Sequence, residues 1–413
     1  MYRSLWRSKA QPGAWHAFVV ILPETLMLGM LMPMLPDILR SYSNSPQEIG
    51  THVGYFLGIY SFIQVMVAPM LGVLSDRYGR RPVLLFSFFF SSITYLFMAM
   101  ASSFWMLFLG RIISGATNAI IPLASSYIAD VSNDDNRAAN FGWLGSAAAI
   151  GFSAGPLLGS WLGQWDVMAP FWAAALFSVL AFGFVLLVMP ESMTCRKPVR
   201  ISWAKLYPFA SLVKFLKPSA LSGLIWVYAL VFLAFQVIPA NWTLYTQAKI
   251  GWSTQDVGRS LTVLGIMFAL GQGILPKFII VRVGEMRALL QGIFVLGLSL
   301  VFFSLADKTW MIYSSLVLFT CSAHLMPTLQ SLLVQHVTAE EQGELQGSLI
   351  AVRGCLSAIA PVLYNKLFNW LTYGSTEFQY PGIAFVAAAF LLLLTFPLLQ
   401  FSVRYRQKAA FCR

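Results

Sequence analysis

Long uncharged apolar runs alternate with short charged segments along the whole chain, and this pattern restricts the fold more than any single motif does. Residues 53–75, 83–100, 141–165, 167–190, 218–248, 288–306, 309–339 and 378–403 contain no Asp, Glu, Lys or Arg. Residues 15–36, 105–128, 261–280 and 345–371 carry one or two each and complete a set of twelve. About 20 apolar residues cross a bilayer as a helix, whereas membrane barrel strands alternate polar and apolar over roughly 10 residues. The runs do not alternate, so the expected fold is an all-α membrane protein of twelve transmembrane helices. Composition agrees: 58% of residues are hydrophobic, 10% are charged and the mean hydropathy is +0.71. A soluble domain is about 25% charged. So few charges cannot cover the surface of a water-soluble globule.

The net charge of +11 is scattered between apolar runs, which fits membrane orientation and excludes a nucleic-acid surface. If the N-terminus lies in the cytoplasm, 20 Lys and Arg fall in cytoplasmic segments and five fall outside: Arg40, Lys249, Arg259, Lys308 and Lys366. Cytoplasmic segments attract such an excess, so both termini are expected inside. Arg3, Arg7 and Lys9 precede the first run and resemble the start of a signal peptide. That run is longer than a signal core and ends in Met32-Pro33-Met34-Leu35-Pro36 without a small-residue cleavage pattern, so it reads as a retained span. Cys195, Cys321, Cys355 and Cys412 have neither metal-ligand nor redox spacing. No disulfide, metal or cofactor is expected.

A shift of 205 residues superimposes Arg77 and Gly79 on Arg282 and Gly284, Pro122 on Pro327, Gly142 on Gly347 and Pro156 on Pro361. One offset serving separate regions implies two six-helix pseudo-repeats in the same orientation. Transporters use parallel repeats of this kind to build a site that rocking halves expose alternately. The expected organisation is a bundle over 1–190, a cytoplasmic linker over 191–217 and a bundle over 218–413. Trp203, Leu206, Phe209 and Leu212 suggest that part of the linker is an amphipathic helix on the membrane surface.

The loop Gly72-Val73-Leu74-Ser75-Asp76-Arg77-Tyr78-Gly79-Arg80-Arg81-Pro82 joins spans 2 and 3. Its glycine permits a tight turn, and Asp76 with the arginines is expected to form an ion-pair cluster. The stretch resembles the signature loop of the major facilitator superfamily. Two more stretches agree: Arg111-Ile112-Ile113-Ser114-Gly115 in span 4, and Gly151-Phe152-Ser153-Ala154-Gly155-Pro156-Leu157-Leu158-Gly159 in span 5. The latter is similar to a motif of the superfamily's antiporters, and its glycine spacing makes a smooth face for close helix packing. Segments such as Leu28-Gly29-Met30, Gln236-Val237-Ile238-Pro239 and Met326-Pro327-Thr328 extend the likeness to the tetracycline/proton antiporters, within the drug:proton antiporter family. The resemblance implies that Asp76, Arg77, Gly79 and Arg80 form a gate latch, grouped here with Asp130, Arg137, Gly151, Gly155 and Pro156. The chain departs from the family where proton and drug groups are expected: Glu24 replaces an Asp, and Thr94, Phe268 and Leu296 stand at an acid, a His and an Asp position.

Three charges lie well inside spans: Glu24, Arg111 and Arg353. Each is costly there, by about 2.5–3.5 kcal/mol for Arg on insertion scales, and such groups are usually functional. Glu24 follows Pro23 and is read as a proton or substrate ligand, the alternative being a structural pair. Arg111 either supports proton coupling, as the resemblance implies, or anchors span 1. Arg353 has no acid at helical spacing and an apolar counterpart region, Ala147-Ala148-Ala149; its partner is an anionic substrate or Glu24. His324 is either a coupling group or hydrogen-bonded structure. Gln64, Asn118, Gln236, Asn241, Gln272 and Gln330 could add polar groups to a binding cavity, and Gln236, Asn241 and Gln330 are taken as substrate candidates.

The chain has no Walker loop, no G-x-S-x-G and no metal cluster, so an enzyme or a primary pump is not expected. The favoured reading is a monomeric, proton-coupled secondary transporter whose partners are a small-molecule substrate, protons and the lipid bilayer of a bacterial inner membrane. An anionic or amphipathic substrate is expected, a siderophore or other polycarboxylate included. The alternatives are efflux of cationic or neutral drugs, and a non-transporting sensor or scaffold.

Overall fold

The computed structural model describes residues 12–133, 135–193, 210–338, 340–374 and 379–402. Arg3, Arg7, Lys9, Cys195, Cys412 and the Trp203–Phe209 part of the expected linker helix lie outside them. The described residues are helical with no strand, and twelve segments are long and apolar enough to cross a membrane. Single helices make eight of these: α1 (Ala14–Arg40), α2 (Pro46–Tyr78), α3 (Arg80–Ala99), α6 (Arg137–Leu162), α7 (Ala169–Leu187), α11 (Thr254–Val283), α12 (Glu285–Leu305) and α15 (Gln342–Tyr373); in a ninth, α16 (Ile383–Leu393) turns at Leu394 and resumes as far as Ser402. A short helix, α8 (Ala210–Phe215), precedes the seventh span.

The other three spans are each broken in two, where the apolar runs alone implied continuous helices. They are α4 (Phe104–Thr117) with α5 (Ile120–Val131), α9 (Ala220–Phe235) with α10 (Val237–Ile250), and α13 (Thr309–Thr320) with α14 (Leu325–Val334). One residue type accounts for all three breaks. Pro122, Pro239 and Pro327 are each the third residue of the resumed helix. Proline has no N–H to give, and its ring clashes with the carbonyl four residues earlier. That earlier residue is Asn118, Phe235 or Ala323: the first two stand at the end of their first helix, and Ala323 in the turn that follows Thr320. The first turn of a helix tolerates proline because its N–H groups have no partner there anyway.

The chain divides into two compact units. Unit one gathers the described residues up to Tyr42, those of 59–193, and Thr254–Gly265; unit two gathers 43–58, 210–253 and 266–402. In unit one, α1 packs along α6 and α3 along α7. The α1–α6 approach is made backbone to backbone. A Cβ placed on Gly155 would stand 2.7 Å from the Leu26 carbonyl and 2.8 Å from Gly29 Cα, so only glycine fits on either helix there. Lipid tails are as apolar as leucine, and close packing rather than the hydrophobic effect holds such helices together. In unit two, α12 packs on α13 and α16, and α10 on α15. Outward-facing Trp105, Leu187 and Val281 are 72%, 76% and 83% exposed, an arrangement suited to lipid and not to water.

Candidate functional site

Unit one holds a buried polar cluster around Glu24. Pro23 removes one helical hydrogen bond just before it. The acid is 1% exposed, and its Oε1 accepts from Asn118 Nδ2 at 2.7 Å. Asn118 occupies the α4–α5 break in an extended conformation, φ −93° and ψ 109°. Its Oδ1 accepts from the Ile120 N–H at 3.2 Å, which caps the resumed helix. Irregular backbone at membrane depth occurs only where it is buried or lines a cavity. Arg111, 2% exposed, sits in α4 with its guanidinium carbon 4.2 Å above the Tyr60 ring. It lies within electrostatic reach of Glu24, Tyr60 and Tyr95. Gln64 Nε2 donates to Tyr60 Oη at 3.1 Å and to the Asn118 carbonyl at 3.4 Å. Among the described residues, Glu24 Oε2 has no hydrogen-bond partner. Side chains from the first four spans thus converge on one carboxylate, and the fold brings Glu24 and Arg111 together as candidates of one site.

In unit two, Gln236 reaches α15 one helical turn from Arg353, and the remaining candidates make contacts of their own. His324 is fully buried at the α13–α14 break. Its Nδ1 lies 3.0 Å from the Cys321 carbonyl and its Nε2 3.1 Å from the Ala288 carbonyl of α12. Arg353 is exposed on α15, with its guanidinium 5.2 Å above the Phe232 ring and beside Tyr228. One turn further along α15, Ser357 Oγ accepts from Gln236 Nε2 at 3.1 Å. Asn241 Nδ2 donates to Asn365 Oδ1 at 2.8 Å. Gln330, in the middle of α14, pairs with Gln346 at 3.2 Å on an exposed surface. Phe268 joins Phe235 and Phe319 in an aromatic cluster, with ring centroids 5.9 and 5.7 Å away. Leu296 is fully buried, and Thr94 donates to its own helix at Phe90.

The loop between α2 and α3 is built differently from the expected cluster. Among the described residues, Arg80 alone pairs with Asp76, at 2.6 Å, and it also reaches Asp130 at 3.1 Å and Ser75 Oγ at 2.5 Å. Arg77 lies over its neighbour Tyr78, 5.4 Å from the ring. Arg81 is buried, and its Nε and Nη2 donate to the Val185 and Leu186 carbonyls at 3.1 and 2.6 Å, closing the end of α7. The reason is geometric: Arg77 lies in the last turn of α2, whereas Arg80 and Arg81 take successive positions at the start of α3 and point in different directions, so the three do not share one acid. Arg137 opens α6. Glu191, which falls in the expected linker, accepts from the Arg80 N–H at 2.9 Å and the Arg81 N–H at 3.2 Å. An acid at a helix N-terminus satisfies orphan amides and meets the positive end of the helix dipole. Gly79 is needed twice, for its φ of +107° and because a Cβ there would collide with the Glu191 carboxylate. Glu191 and Arg81 thus clamp the start of α3 to the end of α7. Glu191 is the only acid between the sixth span and residue 217, a signal that could have marked it.

A sequence model of the Major Facilitator Superfamily matches residues 17–361. The tetracycline resistance protein, class G, of Vibrio anguillarum is 35% identical over 93% of this chain and 96% of its own length. The class B protein of Escherichia coli is 32% identical over 92% and 95%. Among solved structures, the human organic anion transporter MFSD10 superposes with a TM-score of 0.70 at 24% identity, covering 94% of this chain and 98% of that one. The nucleoside transporter NupG, as its D323A mutant, superposes with a TM-score of 0.78 at 13% identity, covering 94% and 99%. With twelve apolar spans and this likeness along nearly its full length, the chain belongs to the Major Facilitator Superfamily of transporters, as an integral multi-pass membrane protein related to the tetracycline resistance proteins.

Proposed function

We propose that this protein is a proton-coupled secondary transporter that exports a small amphipathic or anionic organic compound by alternating access. It works as a monomer in a bacterial inner membrane, with both termini in the cytoplasm and two six-helix bundles divided at 191–217. The observation that carries the reading is the carboxyl of Glu24: buried, held by Asn118 through one oxygen only, with Arg111 near. A buried carboxyl is stable in its charged form only while a cation or donors compensate it. Binding a proton removes that demand, so proton occupancy alters how strongly the cluster draws α1, α2, α4 and α5 together. The antiport resemblance and the tetracycline resistance relatives support export.

On the substrate side, Arg353 with Phe232 and Tyr228 offers a permanent cation beside apolar rings. Guanidinium cannot deprotonate and binds carboxylates through two parallel bonds. This favours an anionic group on an apolar body, with Gln236 as a further polar contact; a polycarboxylate belongs to that class. A second reading, efflux of neutral or cationic drugs, is favoured by the Phe235, Phe268 and Phe319 cluster. Tetracycline, named for the relatives, is the first compound to test.

The experiment is transport by proteoliposomes under an imposed pH gradient, across anionic, neutral and cationic compounds, with the Glu24→Gln variant alongside. One pH unit supplies about 1.4 kcal/mol per proton, enough for roughly tenfold accumulation at one proton per substrate. Glu24→Gln should keep exchange of substrate across the membrane and lose pH-driven accumulation. Accumulation that persists in this variant removes Glu24 from the coupling role.

A further inference from the structure

The latch at the start of α3 has a counterpart 205 residues later, made from different chemistry. Gly284 opens α12 at φ +80° and ψ 160°, as Gly79 opens α3 at φ +107° and ψ 159°. The same shift carries Arg80 to Glu285 and Asp130 to Gln335. In unit one, the Arg80–Asp130 ion pair of 3.1 Å ties the start of α3 to the end of α5. In unit two, Glu285 Oε2 accepts from Gln335 Nε2 at 2.7 Å and Oε1 from Ser331 Oγ at 2.6 Å. These bonds tie the start of α12 to the end of α14. The spatial pairing has survived while every charge in it has changed: Arg became Glu, and Asp became Gln. The counterpart of Asp76 is Val281, which is 83% exposed and has no group to pair.

We infer that Glu285 is a positioning residue: it holds α14 against α12 as a second latch, which an alternating-access cycle must open and close. The last clause rests on the transport reading above; the latch itself does not. Three observations support it. Glu285 stands in the first turn of α12, where the helix dipole favours a carboxylate. Both of its oxygens are engaged by side chains near the far end of α14. One turn further into α12, the Ala288 carbonyl meets His324 at the near end of α14, so the first turns of α12 grip α14 at both ends. The two latches should also differ in salt. Partly exposed ion pairs are screened by salt, whereas Glu285 takes its bonds from an uncharged amide and hydroxyl.

The test is amide hydrogen exchange followed by mass spectrometry on the full-length protein in lipid nanodiscs, with no substrate present. Glu285→Ala should speed exchange over 331–336 by at least about tenfold, the effect expected when charge-assisted bonds are lost. Ser331→Ala with Gln335→Ala should do the same without touching the acid. Glu285→Arg alone should behave like Glu285→Ala, and Glu285→Arg with Gln335→Asp, which installs the pair of unit one, should restore protection. That restored protection should then fall at high salt, while the native protein's does not. Unchanged exchange in Glu285→Ala and in the Ser331/Gln335 variant would overturn the inference, as would a reciprocal variant no better protected than Glu285→Arg. Because exchange is read without substrate, a failure of pH-driven transport leaves this result standing and falls on the transport reading instead.

Discussion

Removing the Glu191 carboxylate should destabilise unit one more than any exposed acid normally would. The carboxylate accepts from the Arg80 and Arg81 amides at 2.9 and 3.2 Å and from the Ser192 amide at 3.1 Å. The first two are among the orphan N–H groups at the start of α3. A hydrogen bond to a charged group contributes about 1.5–3 kcal/mol, and a carboxylate at a helix N-terminus about 0.3–1 kcal/mol. Glu191 is half-buried, so water replaces part of what is lost. Glu191→Ala should therefore cost about 2–3 kcal/mol in all. Glu191→Gln retains one carbonyl acceptor and should lose about half of that. The assay is thermal unfolding of the purified full-length protein in detergent, with Glu191→Asp as a third variant to report reach. Arg81→Leu should match the loss, because it releases the Val185 and Leu186 carbonyls at the other end of the same clamp. A melting temperature unchanged in Glu191→Ala would refute the clamp. So would equal losses in Glu191→Gln and Glu191→Ala, which would mean that the acceptor oxygens are not what matters.

Within α6, Gly155→Ala should lower the melting temperature because its Cβ meets the Leu26 and Gly29 backbone, while Gly142→Ala, with nothing within 4 Å, should raise it slightly through helix propensity of about 1 kcal/mol; the two variants, melted side by side, separate packing from propensity. Arg353→Gln should weaken binding of anionic compounds that stabilise the native protein by more than about tenfold, and leave neutral ones unchanged; equal loss for both classes would argue against an anion contact. Lys214 bridges Glu341 and Glu344 at 3.0 and 2.8 Å, and the Lys214 hydrogen bond holds the Glu341 carboxyl below its usual range. A lowered carboxyl keeps its contact above the ordinary carboxylate range and loses it only as pH falls through the lowered value, so docking of α8 should be constant from about pH 6 to 8 and weaken with salt. Proteolysis near α8 as a function of pH and ionic strength reads this directly.

Twelve spans and the repeat are legible in the sequence because burial in lipid leaves a long unbroken trace in composition. A close-packing face on α6 is legible too, since glycines at helical spacing allow few other uses; that α1 fills it is not. The breaks in three spans are not, although Pro122, Pro239 and Pro327 stand in plain view. The reason is that Pro23, Pro156 and Pro361 lie inside helices that continue unbroken, so proline alone does not announce a break; the packing of each half-helix does. Asn118 stands out in the sequence only as a polar residue, because its importance lies in one distance to Glu24 across 94 residues of chain. Similarly, Arg77, Arg80 and Arg81 look equivalent in sequence. Only their places, Arg77 in the last turn of α2 and Arg80 and Arg81 at successive positions opening α3, give one to an aromatic ring, one to an acid and one to carbonyls.

The Asn118 side chain has a consequence for where a proton can rest. A carboxamide has one face that gives hydrogen bonds and one that takes them. Its oxygen is committed to the Ile120 N–H, so flipping the amide would set two donors against each other. Asn118 must therefore always present N–H to Glu24 Oε1, whatever the state of the acid. If Glu24 carries the transported proton as proposed above, Oε2, which has no hydrogen-bond partner among the described residues, is the favoured oxygen for it, since Oε1 already spends a lone pair on Asn118. The acid then becomes a donor in one defined direction. On the proposed coupling role, proton binding at Glu24 would thus have a direction as well as a stoichiometry, set by a residue that carries no charge and never titrates.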